Sequence, residues 1–225
     1  MRRLIFLILL TIPTSLLFAQ DIGELAPPKP PMVFPSNAWG FDLLIGESGF
    51  GFGGFFRKEL STKFTVFADV SISEAKDERE IEYVDIYGQT FTVGKQNRVF
   101  QIPFALGAQF RLFENELTDN LRPYINLGIG PTIALTTPYD QEFFKAFSYA
   151  KPYYAVGGYV GLGANFGLDT KNLIGINMRY YYTQFLDEGV EILKDRYKNY
   201  LGGFYITINF GFMHYEFSHG IYAYW

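Results

Sequence analysis

The stretch VFQIPFALGAQFRLF, residues 99–113, alternates between two kinds of side chain with a period of two residues. Its even positions, from Phe100 to Leu112, are apolar, whereas its odd positions, from Gln101 to Arg111, are small or polar. Because successive side chains of a β-strand point to opposite faces, this stretch predicts a strand with one apolar face. The next stretch, PYINLGIGPTIALT at residues 123–136, alternates in the same way and predicts a second strand.

The same pattern includes the run GFGFGGFF at residues 49–56, in which phenylalanine and glycine nearly take turns. Its apolar side is expected to carry Phe50, Phe52, Gly54 and Phe56. Its other side is expected to carry Gly51, Gly53 and Phe55, followed by Arg57. We interpret the run as a strand with bulky side chains on one face and mostly glycine on the other. The glycines leave room for a tyrosine from elsewhere in the sheet.

The segments that connect the alternating stretches are themselves alternately short and long. The short ones are 61–62, 114–121 and 169–171, and the long ones are 74–97, 138–151 and 184–199. Transmembrane β-barrels have short periplasmic turns and longer outer loops. A soluble sandwich also alternates, but here the less apolar face combines glycine and tyrosine with isolated charges, which suits a narrow lumen better than a solvated surface.

The number of strands depends on residues 40–60. A secreted chain enters from the periplasm, so a rising strand, WGFDLLIG at 39–46, must precede the descending strand at 50–60. GESG at 46–49 then predicts a tight outer turn. If 40–60 were one long strand, the total would be seven. We predict an all-β, eight-stranded antiparallel up-and-down transmembrane β-barrel with a filled lumen, because eight strands leave an interior just wide enough for side chains.

The chain opens with MRRLIFLILLTIPTSLLFAQ, which has a positive start, an apolar middle and a small residue before a cut at Gln20. These features predict a secretory signal peptide. The predicted organisation is a signal peptide at 1–19, a Pro-rich periplasmic linker at 20–38, an outer-membrane barrel at 39–213 and a C-terminal tail at 214–225.

Composition excludes several classes of function. Without Arg2 and Arg3 the chain has 17 basic against 23 acidic residues, a net charge of −6, which argues against a nucleic-acid partner. There is no cysteine, so disulfides and thiolate metal sites are excluded. The two histidines, His214 and His219, lie beyond the last predicted strand, and no nucleophile elbow is present. We expect no catalytic residues, no cofactor and no metal site.

Strand parity places several polar side chains in the predicted lumen. The charged ones are Asp42, Arg57, Glu59, Asp69, Arg111 and Arg179, and the tyrosines are Tyr159, Tyr181 and Tyr205. A charge in a narrow, largely dry interior is costly unless it is paired. We therefore predict one internal ion-pair network with the tyrosines hydrogen-bonded into it. A plug of satisfied polar groups is the favoured interpretation, and a gated proton or ion path is the alternative.

The outer loops 74–97, 138–151 and 184–199 are the expected contact surface for an extracellular partner. The first contains six acidic and three basic residues. In the third, EGVEILKDRYK at 188–198 predicts a short helix that caps the barrel mouth or meets a partner. Aromatic residues near strand ends, among them Trp39 and Tyr200, predict interfacial girdles.

Laid out in this way, the chain resembles the small eight-stranded outer-membrane barrels of the OmpA/OmpX type and the "outer membrane protein beta-barrel domain" group. The stretches that carry the resemblance are NLRPYINLGIGPTIAL at 120–135, YYAVGGYVGLGANFGL at 153–168 and GGFYITINFGF at 202–212. It covers residues 39–213 and implies a structural, adhesive or small-solute role without catalytic residues. One departure is the closing strand, whose aromatic spacing near Met213–Phe217 is shifted by one residue.

The resulting hypothesis is a monomeric protein of the bacterial outer membrane with a structural or loop-mediated binding role at the envelope. A small-solute or ion channel or transporter is the second candidate, and an outer-leaflet lipid-modifying enzyme is the third. The expected partners are outer-membrane lipid, lipopolysaccharide and the barrel assembly machinery.

Overall fold

The computed structural model describes residues 37–117, 121–167 and 171–214, and these form a closed β-barrel. Its eight strands are β1 (Asn37–Gly46), β2 (Gly49–Glu59), β3 (Phe64–Ala75), β6 (Asn97–Arg111), β7 (Leu121–Pro138), β8 (Lys151–Gly167), β9 (Asn172–Phe185) and β12 (Tyr200–His214). The loops contain β4 (Glu82–Val84), β5 (Thr90–Thr92), the helix α1 (Phe143–Ala146), a 3-10 turn (Phe147–Tyr149), β10 (Val190–Leu193) and β11 (Arg196–Lys198).

Neighbouring strands pair antiparallel around the whole barrel, and β1 closes it by pairing with both β2 and β12. Residues 40–60 are two strands, because Gly46 pairs with Gly49 across a two-residue turn. Gly49 has φ of 123°, a conformation that glycine adopts without a steric penalty. The predictions of eight strands and of the tight turn are therefore confirmed.

The strands extend slightly beyond the predicted barrel boundaries. The first strand begins at Asn37, inside the predicted linker, and the last ends at His214, the first residue of the predicted tail. The predicted signal peptide, most of the linker and the tail beyond His214 lie outside the described residues, as does the predicted irregularity of the closing strand.

The prediction of a helix at 188–198 is wrong, because this segment is the hairpin β10–β11. Hydrogen bonds to the first long loop select the extended form: the Gln96 amide donates to the Ile192 carbonyl at 2.8 Å, and the Lys194 amide donates to the Gly94 carbonyl at 2.8 Å. Tertiary pairing with a distant segment outweighs the helical spacing of the apolar residues.

The outward face of the barrel is an apolar belt. On β7, Leu127 is 63% exposed, whereas its inward neighbour Asn126 is 5% exposed. The same contrast recurs on the other strands, and exposed aromatic residues lie toward their ends: Trp39, Tyr154, Tyr180, Tyr182 and Tyr200. An apolar outer face around a closed barrel is the arrangement that contacts lipid. No helix among the described residues is long and apolar enough to cross a membrane.

The lumen is filled by side chains, as predicted. A cluster of inward residues occupies its centre: Leu44, Phe67, Ala105, Tyr159, Tyr181 and Tyr205. Phe55 also points inward, and the Arg57 guanidinium lies 4.2 Å from its ring centre. The interior of an eight-stranded barrel is just wide enough to be filled by side chains in this way.

The glycines that make room for tyrosine rings are not the ones predicted. In the run 49–56, the inward glycines lie against serines of β3, so that a Cβ at Gly53 would be 2.8 Å from the Cβ of Ser71. The Tyr159 ring instead occupies the space beside Gly128, where a Cβ would lie 2.9 Å from the ring.

We predict that the membrane-facing belt tolerates charge only near its rims. Ile129, near the middle of β7 and 65% exposed, should cost about 2–4 kcal/mol of unfolding free energy when replaced by arginine. Phe64→Arg, at the first residue of β3, is the control and should cost about 0–1 kcal/mol. Urea unfolding in lipid vesicles measures both, and equal costs would contradict the lipid-facing assignment.

Candidate functional site

Arg179 on β9 is a deeply buried charge of the lumen, with a side chain that is 2% exposed. Its Nη2 lies 3.2 Å from Oδ2 of Asp42 on β1, and its Nη1 lies 3.3 Å from Oδ2 of Asp69 on β3. The Asn209 amide on β12 donates a further hydrogen bond to Asp42. Arg179 therefore joins strands on opposite sides of the barrel.

Two of the predicted tyrosines complete this cluster. The Tyr159 hydroxyl donates to Oδ2 of Asp69 at 2.5 Å, and Nη1 of Arg179 donates to the Tyr181 hydroxyl at 3.1 Å. The Arg179 guanidinium also lies 4.8 Å from the centre of the Tyr159 ring. We call Asp42, Asp69, Tyr159, Arg179 and Tyr181 the central cluster.

Strand register brings the aromatic rings of the lumen together. Tyr159 on β8 is directly opposite Tyr181 on β9, and their ring centres are 4.8 Å apart. Phe67 stacks on the other side of Tyr159 at 6.0 Å, and Tyr205 meets Tyr181 edge-on at 5.4 Å. These rings surround the ions and exclude water, which strengthens the electrostatic attraction between them.

Tyr205 does not bond to the ions, although it was predicted to join them. Its hydroxyl accepts a hydrogen bond from Nε2 of Gln101 at 3.0 Å and donates to the Glu74 carbonyl at 3.2 Å. Gln101 also donates to Oγ of Ser73 at 3.2 Å. Strand parity also places Gln101 and Ser73 inward, but neither was predicted as a network member. They form a separate polar layer nearer the long loops.

Arg57 lies between the central cluster and the short-turn end of the barrel. Its Nη1 donates to Oδ1 of Asn165 at 3.1 Å, and the guanidinium packs over Phe55. Within the described part of the chain, no carboxylate lies within ion-pair distance of Arg57. Hydrogen bonding to an amide and stacking on a ring therefore replace the ion pair that was predicted for it.

Glu59 and Arg111 form a separate group at the short-turn end. Glu59 lies 4.0 Å from Nη1 of Arg122, a residue that was not predicted as a site residue. Arg111 donates from Nη2 to the Leu117 carbonyl at 2.8 Å. Arg122 has the same parity as Asn126, so extending the alternation of β7 by one position would have found it. The prediction of one continuous ion-pair network is therefore wrong, because the charges lie at different heights in the barrel.

The long loops form an ordered cap over the lumen. Val190 and Ile192 of the β10–β11 hairpin are fully buried against inward residues of the barrel, including Val99 and Leu201. Lys95 in the first long loop is nearly buried and pairs with Glu80 at 2.7 Å. The cap thus has its own apolar core and its own buried ion pair.

Asp77 also stabilises the cap, because its carboxylate accepts several hydrogen bonds. Oδ2 of Asp77 accepts a hydrogen bond from Nη2 of Arg79 at 2.6 Å, and Oδ1 accepts from the Arg79 backbone amide at 3.0 Å. The hydrogen bonds from the Arg79 side chain lower the pKa of the Asp77 carboxyl below its ordinary value of 3.8. Lys198 on β11 lies 3.9 Å from the same carboxylate and connects two loops.

These groups hold the barrel wall and its cap together rather than presenting reactive atoms. In residues 37–117, 121–167 and 171–214 no three His, Cys, Asp or Glu side chains are grouped in a way that would hold a metal ion. The central cluster is enclosed by aromatic rings, and its ions already have partners.

We predict that removing Arg179 is far more costly than removing the whole cluster of charges. Arg179→Met leaves two buried aspartates without their cation and should cost about 3–5 kcal/mol of unfolding free energy. The triple variant D42N/D69N/R179M should cost less than the single one, because no buried charge is left unmatched. Urea unfolding measures both, and Arg196→Gln on the exposed hairpin is the control. A triple variant less stable than Arg179→Met would contradict the ion-pair assignment.

We also predict that the first long loop of the cap becomes disordered in acid, when Asp77 is protonated. Because the folded pKa of Asp77 lies below its ordinary value of 3.8, its contribution is complete above that value and is lost as the pH falls through the folded pKa. Amide hydrogen exchange of loop 76–96, divided by the intrinsic exchange rate of an unfolded peptide at the same pH, should therefore show protection near pH 5 that is lost near pH 2. Asp77→Asn should lack this protection at both values, whereas Glu78→Gln should behave like the parent. A parent loop that is equally protected at both values would refute this role.

The fold is similar to several solved outer-membrane barrels. The N-terminal β-barrel domain of Pseudomonas aeruginosa OprF is 12% identical, with 79% of this chain and 97% of that chain covered and a TM-score of 0.43. Neisserial surface protein A (NspA) is 10% identical, with 79% and 94% covered and a TM-score of 0.47. OprG from Pseudomonas aeruginosa is 12% identical, with 81% and 98% covered and a TM-score of 0.42.

No protein-family model matches the sequence, and no curated protein matches it either. The class of the protein therefore follows from its own geometry: eight antiparallel strands close on themselves, their outward face is apolar, and their lumen is filled. A closed barrel with such a belt is built to cross a lipid bilayer. The chain is a small eight-stranded transmembrane β-barrel of the bacterial outer-membrane type.

Proposed function

We propose that this barrel serves as a rigid membrane scaffold that binds a protein partner at the cell surface through its outer loops. The observation that carries the proposal is the β4–β5 hairpin, which projects apolar side chains into solvent on the long-loop side. The function lies in the loops because the lumen is packed with side chains that already contact one another.

The exposed residues of this hairpin are mostly apolar or aromatic. They are Ile81, Tyr83, Val84, Ile86, Tyr87, Phe91 and Val93. At its tip, Ile86 is 92% exposed and Tyr87 is 83% exposed. A contiguous apolar patch of this kind on an exposed loop is typical of a binding surface, and tyrosine is among the residues enriched at interfaces.

The base of the hairpin is held in place by ion pairs. Glu82 at the start of β4 accepts a hydrogen bond from Lys76 at 2.8 Å, and the adjacent Glu80 pairs with the buried Lys95. At the turn, the Asp85 carboxylate accepts hydrogen bonds from the amides of Tyr87 and Gln89, both at 2.8 Å. A loop that is ordered before binding loses less conformational entropy when a partner docks.

The charge around the hairpin favours a partner with a basic rim. Loop 74–97 has six acidic residues against three basic ones. An apolar patch bordered by acidic groups complements a protein surface that is apolar at its centre and basic at its edge. The same charge disfavours polyanions such as nucleic acids.

The lumen gives no support to the alternative of a channel or transporter. Arg179 and the rings of Tyr159, Tyr181 and Tyr205 occupy its centre, and the β10–β11 hairpin covers its outer mouth. A solute would have to displace paired ions and packed aromatic rings together, which is costly in a low-dielectric interior.

Site-specific photocrosslinking in living cells tests the proposal. A photoreactive residue at Gln89, next to the apolar tip, should give one discrete protein adduct on the outer surface. The variant I86S/Y87S should reduce the adduct at least about tenfold, since truncating interface hot spots typically costs 2 kcal/mol or more. Leu186→Ser, an exposed apolar residue in the third long loop, is the matched control and should leave it unchanged.

Heat-modifiable gel migration would show that each variant is folded before its adduct is compared. Absence of an adduct from the folded parent, or an adduct of equal yield in I86S/Y87S, would rule out the hairpin as the binding surface.

A further inference from the structure

The second long loop, residues 138–151, contacts the outer surface of the barrel. Phe100 on β6 has the same parity as the exposed belt residue Phe104, so its side chain points outward. The ring centre of Phe100 lies 5.3 Å from that of Phe147 and 6.1 Å from that of Phe143. Both of these phenylalanines belong to the loop, which therefore packs on the outer rim of the apolar belt.

Arg98, the next outward residue of β6 toward the long loops, holds the start of the same loop. Its Nη1 donates hydrogen bonds to the backbone carbonyls of Pro138 and Gln141, at 3.1 and 3.3 Å. Its guanidinium also lies 4.7 Å from the ring centre of Tyr139. Because Arg98 has the same parity as Phe100, these contacts keep the loop on the outer face of the barrel.

The loop residues that follow, 143–149, expose aromatic rings next to the belt. They form α1 and the 3-10 turn. Phe144 is 80% exposed, and its ring meets that of Phe143 edge-on at 5.3 Å. Tyr149 is 55% exposed. Contiguous exposed apolar side chains of this kind mark a surface that binds a protein or a membrane.

The position of these rings favours lipid over a protein. The segment is continuous with the lipid-facing belt through Phe100, so a protein that covered it would also have to displace the lipid beside that residue. Its charged residues are Asp140, Glu142 and Lys145, and Arg98 beside them makes the local charge neutral. A neutral aromatic segment at the rim of the belt suits the boundary between lipid headgroups and acyl chains, where aromatic side chains are enriched.

We propose that residues 143–149 are an interfacial anchor, which places the rings of Phe144 and Tyr149 in the outer leaflet of the membrane where headgroups meet acyl chains. Phe100 and Arg98 hold the anchor at that depth. The second long loop then contacts lipid, whereas the surface-binding role proposed above belongs to the β4–β5 hairpin of the first. The two proposals rest on different residues, and either can fail without the other.

Tryptophan fluorescence in vesicles of brominated phosphatidylcholine tests the anchor. The two tryptophans of the chain, Trp39 and Trp225, are first replaced by phenylalanine. In this background, Phe144→Trp should emit at a short wavelength and should lose most of its fluorescence to bromine near the headgroup end of the acyl chains. Bromine at the chain ends should quench it less, because an interfacial segment enters only about 5–10 Å.

Tyr87→Trp, at the exposed tip of the β4–β5 hairpin, is the matched control in the same background. It should emit at a longer wavelength and keep its fluorescence with either brominated lipid. Quenching of Phe144→Trp no greater than that of Tyr87→Trp would overturn the proposal. So would a short-wavelength emission from Phe144→Trp without quenching, because protein and not lipid would then cover the ring.

A second pair of variants tests the contact with the belt. Added to Phe144→Trp, the substitution Phe100→Ser should reduce the quenching, because it removes the ring on which the loop packs. Phe104→Ser, four residues further from the loop on the same outward face, should leave the quenching unchanged. Heat-modifiable gel migration would show that each variant is folded. Equal quenching in the two serine variants would also overturn the proposal.

Discussion

Closing eight strands into a barrel imposes the constraint on which the rest of this structure depends. Closure pairs every strand with two neighbours, so no polar edge is left to face lipid. It also leaves an interior only wide enough for side chains. Each inward residue must therefore fit against residues from across the barrel. The outer face only has to be apolar, so its exposed residues are almost all large hydrophobic ones.

Because the lumen is so narrow, each of its buried polar groups needs a partner from a neighbouring or opposite strand. Arg179 is matched by Asp42 and Asp69, and tyrosine rings enclose all three. Toward the long loops, neutral hydrogen bonds around Tyr205 replace charges. Toward the short turns, the described lining of the lumen contains Arg57, Arg111 and Arg122 together with Glu59. The described part of the lumen is thus arranged in layers of different polar groups.

The outer cap adds a second level of organisation. The β10–β11 hairpin buries its own apolar residues in the barrel mouth, and buried ion pairs at Lys95 and Asp77 order the loops around it. The cap closes the lumen and leaves the β4–β5 hairpin exposed. A closed interior together with an exposed apolar hairpin favours a role at the surface over passage through the barrel.

Period-two alternation predicted the barrel strands and the face on which their residues lie, and the alternation of short and long connections with a periplasmic start predicted that there are eight. It placed even the unusual Phe55 next to Arg57 in the lumen. It did not predict which inward residues touch, because a residue's height in the barrel depends on the stagger between strands. Arg179 and Asp42 are 137 residues apart, and only closure brings them together. For the same reason, the sequence did not show that Glu59 and Arg111 lie apart from the central cluster. Nor did it show that hydrogen bonds to residues 94–96 make segment 188–198 a hairpin instead of the predicted helix.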